Sequence, residues 1–133
     1  MLEKFPLDTS RVHVSDLLPY IVYLQVLQAS SAHIYLTRPF VLSWSMLEAL
    51  ATGCLIVASD TACVTEVIQD NVNGLLVNFF NPPQISDRVI EALDNPERMA
   101  KIRIKARETI LESYDLAKLL PQHLQWVKDS VSI

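Results

Sequence analysis

Cysteine and glycine are both scarce in this sequence, with two residues of each among 133. The cysteines, Cys54 and Cys63, stand nine positions apart, form no C-x-x-C pair and have no group of histidines nearby. This spacing argues against a zinc site and against a redox dithiol. We therefore expect both cysteines to be small buried residues and expect no metal site.

Long apolar runs and excess positive charge are also missing. No apolar run approaches the roughly 20 residues that a membrane-spanning helix requires, and no basic segment precedes an apolar one. The net charge of -4 argues against a nucleic-acid partner. The basic residues between Arg98 and Arg107 alternate with apolar ones, which favours a solvated helix face over a polyanion site. We expect a cytoplasmic protein.

The composition that remains is that of an ordered globular protein. Half of the residues are hydrophobic and a fifth are charged, which argues against a disordered chain. A chain of 133 residues is long enough for one domain and too short for two. One modest core is expected.

Short β-rich runs alternate with helical patterns in the first part of the chain. The predicted strands are Arg11–Val14, Ala32–Thr37, Leu55–Ala58 and Leu75–Val77. The predicted helices begin at about Pro19, at Trp44 (ending at Thr52 before Gly53) and around Val64 (to Ile68). This alternation predicts an α/β class, with a Rossmann-like three-layer α/β/α arrangement and about four mostly parallel strands.

The second part of the chain is predicted to be helical. Asn81-Pro-Pro-Gln84 offers an N-cap followed by proline at the first helical position. Pro96 opens another helix, whose apolar face is predicted to be Met99, Ile102, Ala106 and Ile110. A last amphipathic helix follows Asp115. We expect one domain over 1–133, with strand–helix units to about 80 and a helical part over about 82–133.

One candidate site lies where predicted strands end and helices begin, because free backbone N–H groups there attract anions. Its members are Ser43, Trp44, Ser45, Glu48, Asp60 and Thr61. Other readings are open. Ser45-x-x-Glu48 also fits a capping box and Asp60 also fits a helix cap. For Trp44, core packing or a dimer contact is favoured over base stacking. His33 is expected to be a packed or partly buried histidine.

The segment from Thr37 to Asp60, continued by Glu66-Val-Ile68 and Asn73-Gly-Leu-Leu-Val77, resembles the donor-site core of retaining glycosyltransferases of family four, which have the two-domain GT-B fold. The resemblance implies sugar transfer from a UDP- or GDP-sugar to an acceptor, without a cofactor. It implies that Glu48 binds the nucleotide ribose, and that backbone N–H groups near Ser43 face the donor. The family's other glutamate, which lies near the hydroxyls of the transferred sugar, is replaced here by Phe40. Glu66 and Gly74 match a turn beside the site.

The resemblance covers only part of such an enzyme. It implies two further strand–helix units, with a glycine-rich turn and a basic pair, that this sequence does not contain. We therefore expect a truncated donor-binding domain that is inactive alone and binds nucleotide weakly. Without these units, the edge of the Ile34 strand would expose unpaired backbone N–H and C=O groups. We expect either that the Val12 strand pairs with this edge or that two copies form a homodimer there. The alternatives are a non-catalytic dimeric module and a weak nucleotide-binding subunit that pairs with a separate acceptor-domain polypeptide.

Overall fold

The computed structural model describes residues 8–38 and 40–131, and within them three parallel strands form one sheet. The strands are β1 (His33–Tyr35), β2 (Ile56–Ser59) and β3 (Leu75–Val77), with β2 in the middle. His33 pairs with Ile56, and Val57 pairs with Leu75. The helices are α1 (Tyr20–Ala29), α2 (Trp44–Ala51), α3 (Ala62–Thr65), α4 (Pro82–Asp94), α5 (Pro96–Ser113) and α6 (Leu116–Val131). The predicted α/β class with parallel strands is confirmed.

The predicted fourth strand is wrong. Thr9–Arg11 forms one turn of 3₁₀ helix, and residues 12–14 pair with no strand of the described chain. Val14 is 83% exposed. A β-rich run becomes a strand only where a neighbour satisfies its backbone groups and a core covers one face, and this segment has neither. The Val12 segment therefore does not move in beside β1.

The sheet is covered on both faces, which explains why β2 is apolar throughout. Side chains along a strand alternate between the two faces. Ile56 and Ala58 belong to a core cluster with Met46 and Leu50 of α2. The other face carries Val57, which clusters with residues of β3, α4 and α5. The two clusters make the predicted three layers, with the central strand fully buried.

Helix α5 contributes to both core clusters. Met99 and Ile102 pack on the Val57 side, whereas Ala106 and Ile110 pack on the Ile56 side. All four positions predicted as the apolar face of this helix are buried. The prediction for α5 is confirmed, and this helix packs in the core clusters on both faces of the sheet.

Helix α2 ends as predicted, in a turn that redirects the chain into β2. Gly53 adopts φ +72, a left-handed conformation that glycine takes without steric cost. The N–H groups of Gly53 and Cys54 donate to the carbonyl oxygens of Leu50 and Ala49, each at 3.0 Å. This pair of bonds is the Schellman motif. The short helix predicted from Val64 to Ile68 is shifted toward the N-terminus and ends at Thr65.

Helix α6 lies on the outside of the molecule. None of its residues with a described side chain is buried, and Leu116, Leu124 and Trp126 are each more than half exposed. In the part of the chain that the structure describes, no helix combines the length and the apolar character needed to cross a membrane.

Candidate functional site

The amino end of α2 lies at the carboxyl edge of the sheet. Ser43 is the N-cap, and its Oγ accepts a hydrogen bond of 3.3 Å from the Ser45 N–H. The Ser43 N–H donates to the Tyr35 hydroxyl at 3.3 Å, which ties the cap to the end of β1. The Trp44 N–H makes no hydrogen bond with any residue that the structure describes. A free backbone donor is therefore available at the start of this helix.

Glu48 lies one turn further along α2 and is half-buried. Its Oε1 accepts a hydrogen bond of 3.0 Å from the Tyr20 hydroxyl at the start of α1. The capping box predicted for Ser45 and Glu48 is wrong, because the helix begins two residues earlier and Ser43 is the N-cap. The Glu48 carboxylate is consequently not used for capping.

Two tyrosines of α1 surround this carboxylate. Donation to Glu48 raises the pKa of Tyr20 above its ordinary value of 10.0. Burial raises the pKa of Tyr23, and the nearby negative charge of Glu48 adds to that effect. The Tyr23 hydroxyl is buried and has no hydrogen-bond partner among the described residues. The three side chains form a small polar cluster between α1 and α2.

Glu48 lies in the wall of an apolar groove of about 490 Å³. The groove is lined by Tyr20, Trp44, Leu47, Glu48, Ala51, Ile110, Tyr114, Leu116, Leu119, Leu120 and His123. Trp44 is 80% exposed at its edge. Of the two roles favoured for Trp44, core packing is wrong, because the helix turns this side chain away from the face that carries Met46 and Leu50. A dimer contact stays a prediction.

Asp60 and Thr61 follow β2 at the same edge of the sheet. Thr61 is the residue that precedes α3, so the cap predicted for Asp60 is wrong. Asp60 is exposed and lines a polar pocket of about 260 Å³ together with Asn78, Gln84 and Arg88. The structure brings Ser43–Glu48 and Asp60–Thr61 to one sheet edge, but Glu48 and Asp60 line different cavities.

The turn after α3 is held by a residue that the sequence patterns did not single out. The Asn73 Oδ1 accepts a bond of 2.7 Å from the Gln69 N–H, and its Nδ2 donates to the Val67 carbonyl at 2.9 Å and to Thr109 Oγ1 at 3.1 Å. Glu66 is exposed, and its carboxylate contacts no partner within the described chain. Asn73, and not Glu66, therefore holds this turn, and the Asn-Gly pair in the sequence was the available signal.

Gly74 lies next to Asn73 where the chain enters β3. A Cβ at this position would stand 2.8 Å from Ile68 Cγ2 and 3.0 Å from Ile56 Cγ2. Both distances are shorter than ordinary van der Waals contact. Glycine is required here by close packing.

The residues most suited to metal binding are dispersed. Across residues 8–38 and 40–131, no group of three or more histidine, cysteine or acidic side chains is arranged to hold a metal ion. Cys54 is buried as expected. The same expectation is wrong for Cys63, which is half-buried on the single-turn helix α3. Its Sγ lies 3.7 Å from Thr61 Oγ1.

Comparisons with known proteins show which family the sequence resembles. A model of the family described as glycosyl transferases group 1 matches residues 25–109. The poly(ribitol-phosphate) alpha-N-acetylglucosaminyltransferase of Staphylococcus aureus is 32% identical over 81 residues, which are 60% of this chain and 16% of that protein. The alpha-maltose-1-phosphate synthase of Mycolicibacterium smegmatis is 25% identical over 118 residues, which are 84% of this chain and 30% of that protein.

The fold is shared with a solved structure. HepE from Anabaena, crystallised in complex with UDP, superposes with a TM-score of 0.74 at 18% identity, covering 79% of this chain and 29% of that chain. The likeness confirms the expected GT-B type of fold. The matched segments span less than a third of each of these three proteins. Since the family model matches more than half of the sequence, the chain belongs to the glycosyl transferases group 1 family.

Proposed function

We propose that this chain is a partial donor-binding domain that supplies the nucleotide-sugar-binding part of a retaining glycosyltransferase and is inactive alone. Family membership and the UDP and UDP-glucose complexes of HepE, which has the same fold, support this proposal. The donor is a UDP- or GDP-sugar. A cytoplasmic location is part of the proposal and is tested by cell fractionation.

The observation that carries the proposal is the state of the Glu48 carboxylate. It is half-buried at the carboxyl edge of a parallel sheet, where ligands of α/β folds bind. Its Oε2 receives no hydrogen bond from the described residues, whereas Oε1 receives one. Glu48 therefore has acceptor capacity left for the two hydroxyls of a ribose.

The remaining site residues take roles that follow from their positions. Ser43, Trp44 and Ser45 surround the start of α2, where a free N–H and the helix dipole favour a negatively charged diphosphate. Asp60 and Thr61 stand after the adjacent strand, on the side where the transferred sugar would extend. Glu66 and Gly74 belong to the neighbouring turn and shape the edge of the site.

The expected affinity is low. One carboxylate that binds two ribose hydroxyls contributes about 3 kcal/mol, because charged hydrogen bonds are worth about 1.5–3 kcal/mol each and are imperfectly additive. Micromolar affinity needs about 8 kcal/mol. We expect millimolar binding of UDP or GDP by this chain, and no sugar transfer.

An amide NMR titration tests the proposal. UDP, UDP-glucose and GDP are added to the labelled chain, and shifts are expected at residues 43–48 and 60–61. Glu48→Gln should weaken binding, whereas Glu112→Gln, a matched change on the exposed side of α5, should not. Absence of shifts at high millimolar nucleotide would contradict the proposed site.

A second candidate function is a dimeric interaction module, favoured by the free edge of β1. The His33 N–H donates to Leu55 at 2.8 Å, so the backbone groups of Ile34 face away from β2. The Ile34 side chain is 48% exposed. We propose that a second copy, or a separate acceptor-domain polypeptide, covers this edge. Light scattering of the parent chain and of Ile34→Lys measures their masses. A monomeric mass for the parent chain, unchanged in the variant, would count against the homodimer.

A further inference from the structure

The hydrogen bond between Tyr20 and Glu48 joins two helices. Tyr20 is the first residue of α1, and Glu48 lies 28 positions later on α2. The tyrosine ring is 59% exposed, yet its hydroxyl is directed to the Glu48 carboxylate at 3.0 Å. The Tyr23 hydroxyl interacts with the same carboxylate but is not within hydrogen-bond geometry of it. Tyr20 is therefore the residue of α1 that makes the well-formed hydrogen bond to Glu48.

This bond leaves the carboxylate able to bind a diol. A carboxylate accepts about four hydrogen bonds, and Tyr20 occupies one position on Oε1. Two hydroxyls of a ribose donate to the positions that remain. A ribose bound at those positions would therefore not compete with Tyr20 for the carboxylate.

The ring of Tyr20 contacts the ring of Tyr23. The two residues are three positions apart on α1, and their ring centroids lie 6.3 Å apart at an interplanar angle of 34°. Tyr23 packs against the core cluster that contains Met46 and Leu50. The exposed Tyr20 ring thus contacts the Tyr23 ring, which is packed against the core. This contact limits the orientations of the Tyr20 hydroxyl.

We propose that Tyr20 is a positioning residue for nucleotide binding, whose hydroxyl holds the Glu48 carboxylate in the orientation that receives the ribose. This inference rests on the proposed function. A free glutamate side chain populates many rotamers, and their loss on binding opposes affinity. A tyrosine has few rotamers, so a contact from it restrains the glutamate before the ligand arrives.

A double-mutant cycle tests this role. Tyr20→Phe, Glu48→Gln and the double variant are titrated with UDP and with 2′,3′-dideoxyuridine diphosphate, and amide shifts give the affinities. Tyr20→Phe should weaken UDP binding by about twofold to tenfold, the effect of losing the restraint on one long side chain. It should leave dideoxy-nucleotide binding unchanged, and it should have no effect in the Glu48→Gln background. Glu112→Gln, a change on the exposed side of α5 outside this groove, should bind UDP like the parent chain.

The outcomes separate this inference from the proposed function. If Glu48→Gln weakens UDP binding and Tyr20→Phe does not, the role of Tyr20 is overturned and the ribose role of Glu48 stands. An equal loss for both nucleotides, or a Tyr20→Phe effect that persists without the carboxylate, also overturns it. If Glu48→Gln has no effect on UDP, the proposed site is wrong, and this inference fails with it. Amide spectra of the free variants establish that each is folded.

Discussion

Ser59 and Thr37 exchange two hydrogen bonds across the ends of neighbouring strands. The Ser59 Oγ accepts from the Thr37 N–H at 3.0 Å and donates to the Thr37 carbonyl at 2.9 Å. Ser59 is fully buried at the end of β2, and Thr37 lies just beyond β1. The bond pair extends the pairing of the two strands to the point where the loops of the candidate site begin.

Removal of this hydroxyl should destabilise the protein. Ser59→Ala leaves the backbone N–H and carbonyl of Thr37 without their partner, and we expect a loss of about 1–3 kcal/mol in the free energy of unfolding. Urea denaturation measures it. Ser130→Ala removes a hydroxyl that bonds to its own exposed helix and should change stability by less than about 0.5 kcal/mol. Equal effects of the two changes would contradict the structural role of Ser59.

The two glycines should respond differently to substitution. Gly74→Ala places a methyl group 2.8 Å from Ile68 Cγ2, so we expect a loss of about 1–3 kcal/mol from overpacking. Gly53 has open space around it and a left-handed backbone that asparagine tolerates. Gly53→Asn should therefore reduce the thermal midpoint less than Gly74→Ala does. The reverse order in calorimetry would show that packing at Gly74 is not the dominant constraint.

The contact between Tyr20 and Glu48 is measurable without a ligand. The pKa of Tyr20 is raised above 10.0 chiefly because its hydroxyl donates to Glu48. Glu48→Gln removes the negative charge, so the pKa of Tyr20 should fall toward its ordinary value. NMR titration of the labelled tyrosine ring carbons in the parent chain and in Glu48→Gln follows this. A Tyr20 pKa that stays the same in both chains would show that the contact is not formed in solution.

His33 should make stability depend on pH. Burial lowers the pKa of His33 below 6.5, because it disfavours the charged imidazolium. The residue is half-buried, as expected for a packed or partly buried histidine. As pH falls below 6.5, the unfolded chain takes up the proton first, so the stabilising contribution is present above 6.5 and is lost as pH falls through the folded pKa. Urea midpoints should decrease between about pH 7.5 and about pH 5.5. In His33→Gln this decrease should be smaller, and an equal decrease would assign it to other groups.

Asn73 should matter more for stability than Glu66. Asn73→Ala removes three hydrogen bonds from a buried turn and leaves the Val67 carbonyl and Gln69 N–H without this partner. We expect a loss of about 1–3 kcal/mol. Glu66→Ala removes an exposed side chain and should change the free energy of unfolding by less than about 0.5 kcal/mol. Chemical denaturation of the two variants side by side provides the comparison.

Much of the fold was predictable because local signals and burial agree. Strand β3 and the apolar face of α5 were predicted residue by residue. A short apolar run follows an Asn-Gly turn at β3, and apolar residues recur at helical spacing along the buried face of α5. The strand predicted at Arg11–Val14 does not form, because a β-rich run does not show whether a partner strand is present. Strand pairing is a non-local property, and no local pattern contains it.

The placement of the candidate residues at one sheet edge was predictable from the order of the elements, and their contacts were not. The order of strands and helices places Ser43–Glu48 and Asp60–Thr61 at one edge of a parallel sheet. The partner of Glu48 is 28 positions away on another helix, and the partner of Ser59 is 22 positions away. Both contacts depend on how the elements pack. The local sequence pattern, a capping box, therefore indicated Ser45 as the partner of Glu48 instead of Tyr20.

By itself, the sequence determined the class of fold, the end of α2 at Gly53 and the apolar sides of the helices, because these follow from backbone preferences and from the spacing of apolar residues. Only the tertiary structure decided that the sheet has three strands, that Trp44 is exposed and that Tyr20 contacts Glu48. The reason is physical: burial and hydrogen bonding between distant residues depend on the packing of whole elements, which no short segment specifies.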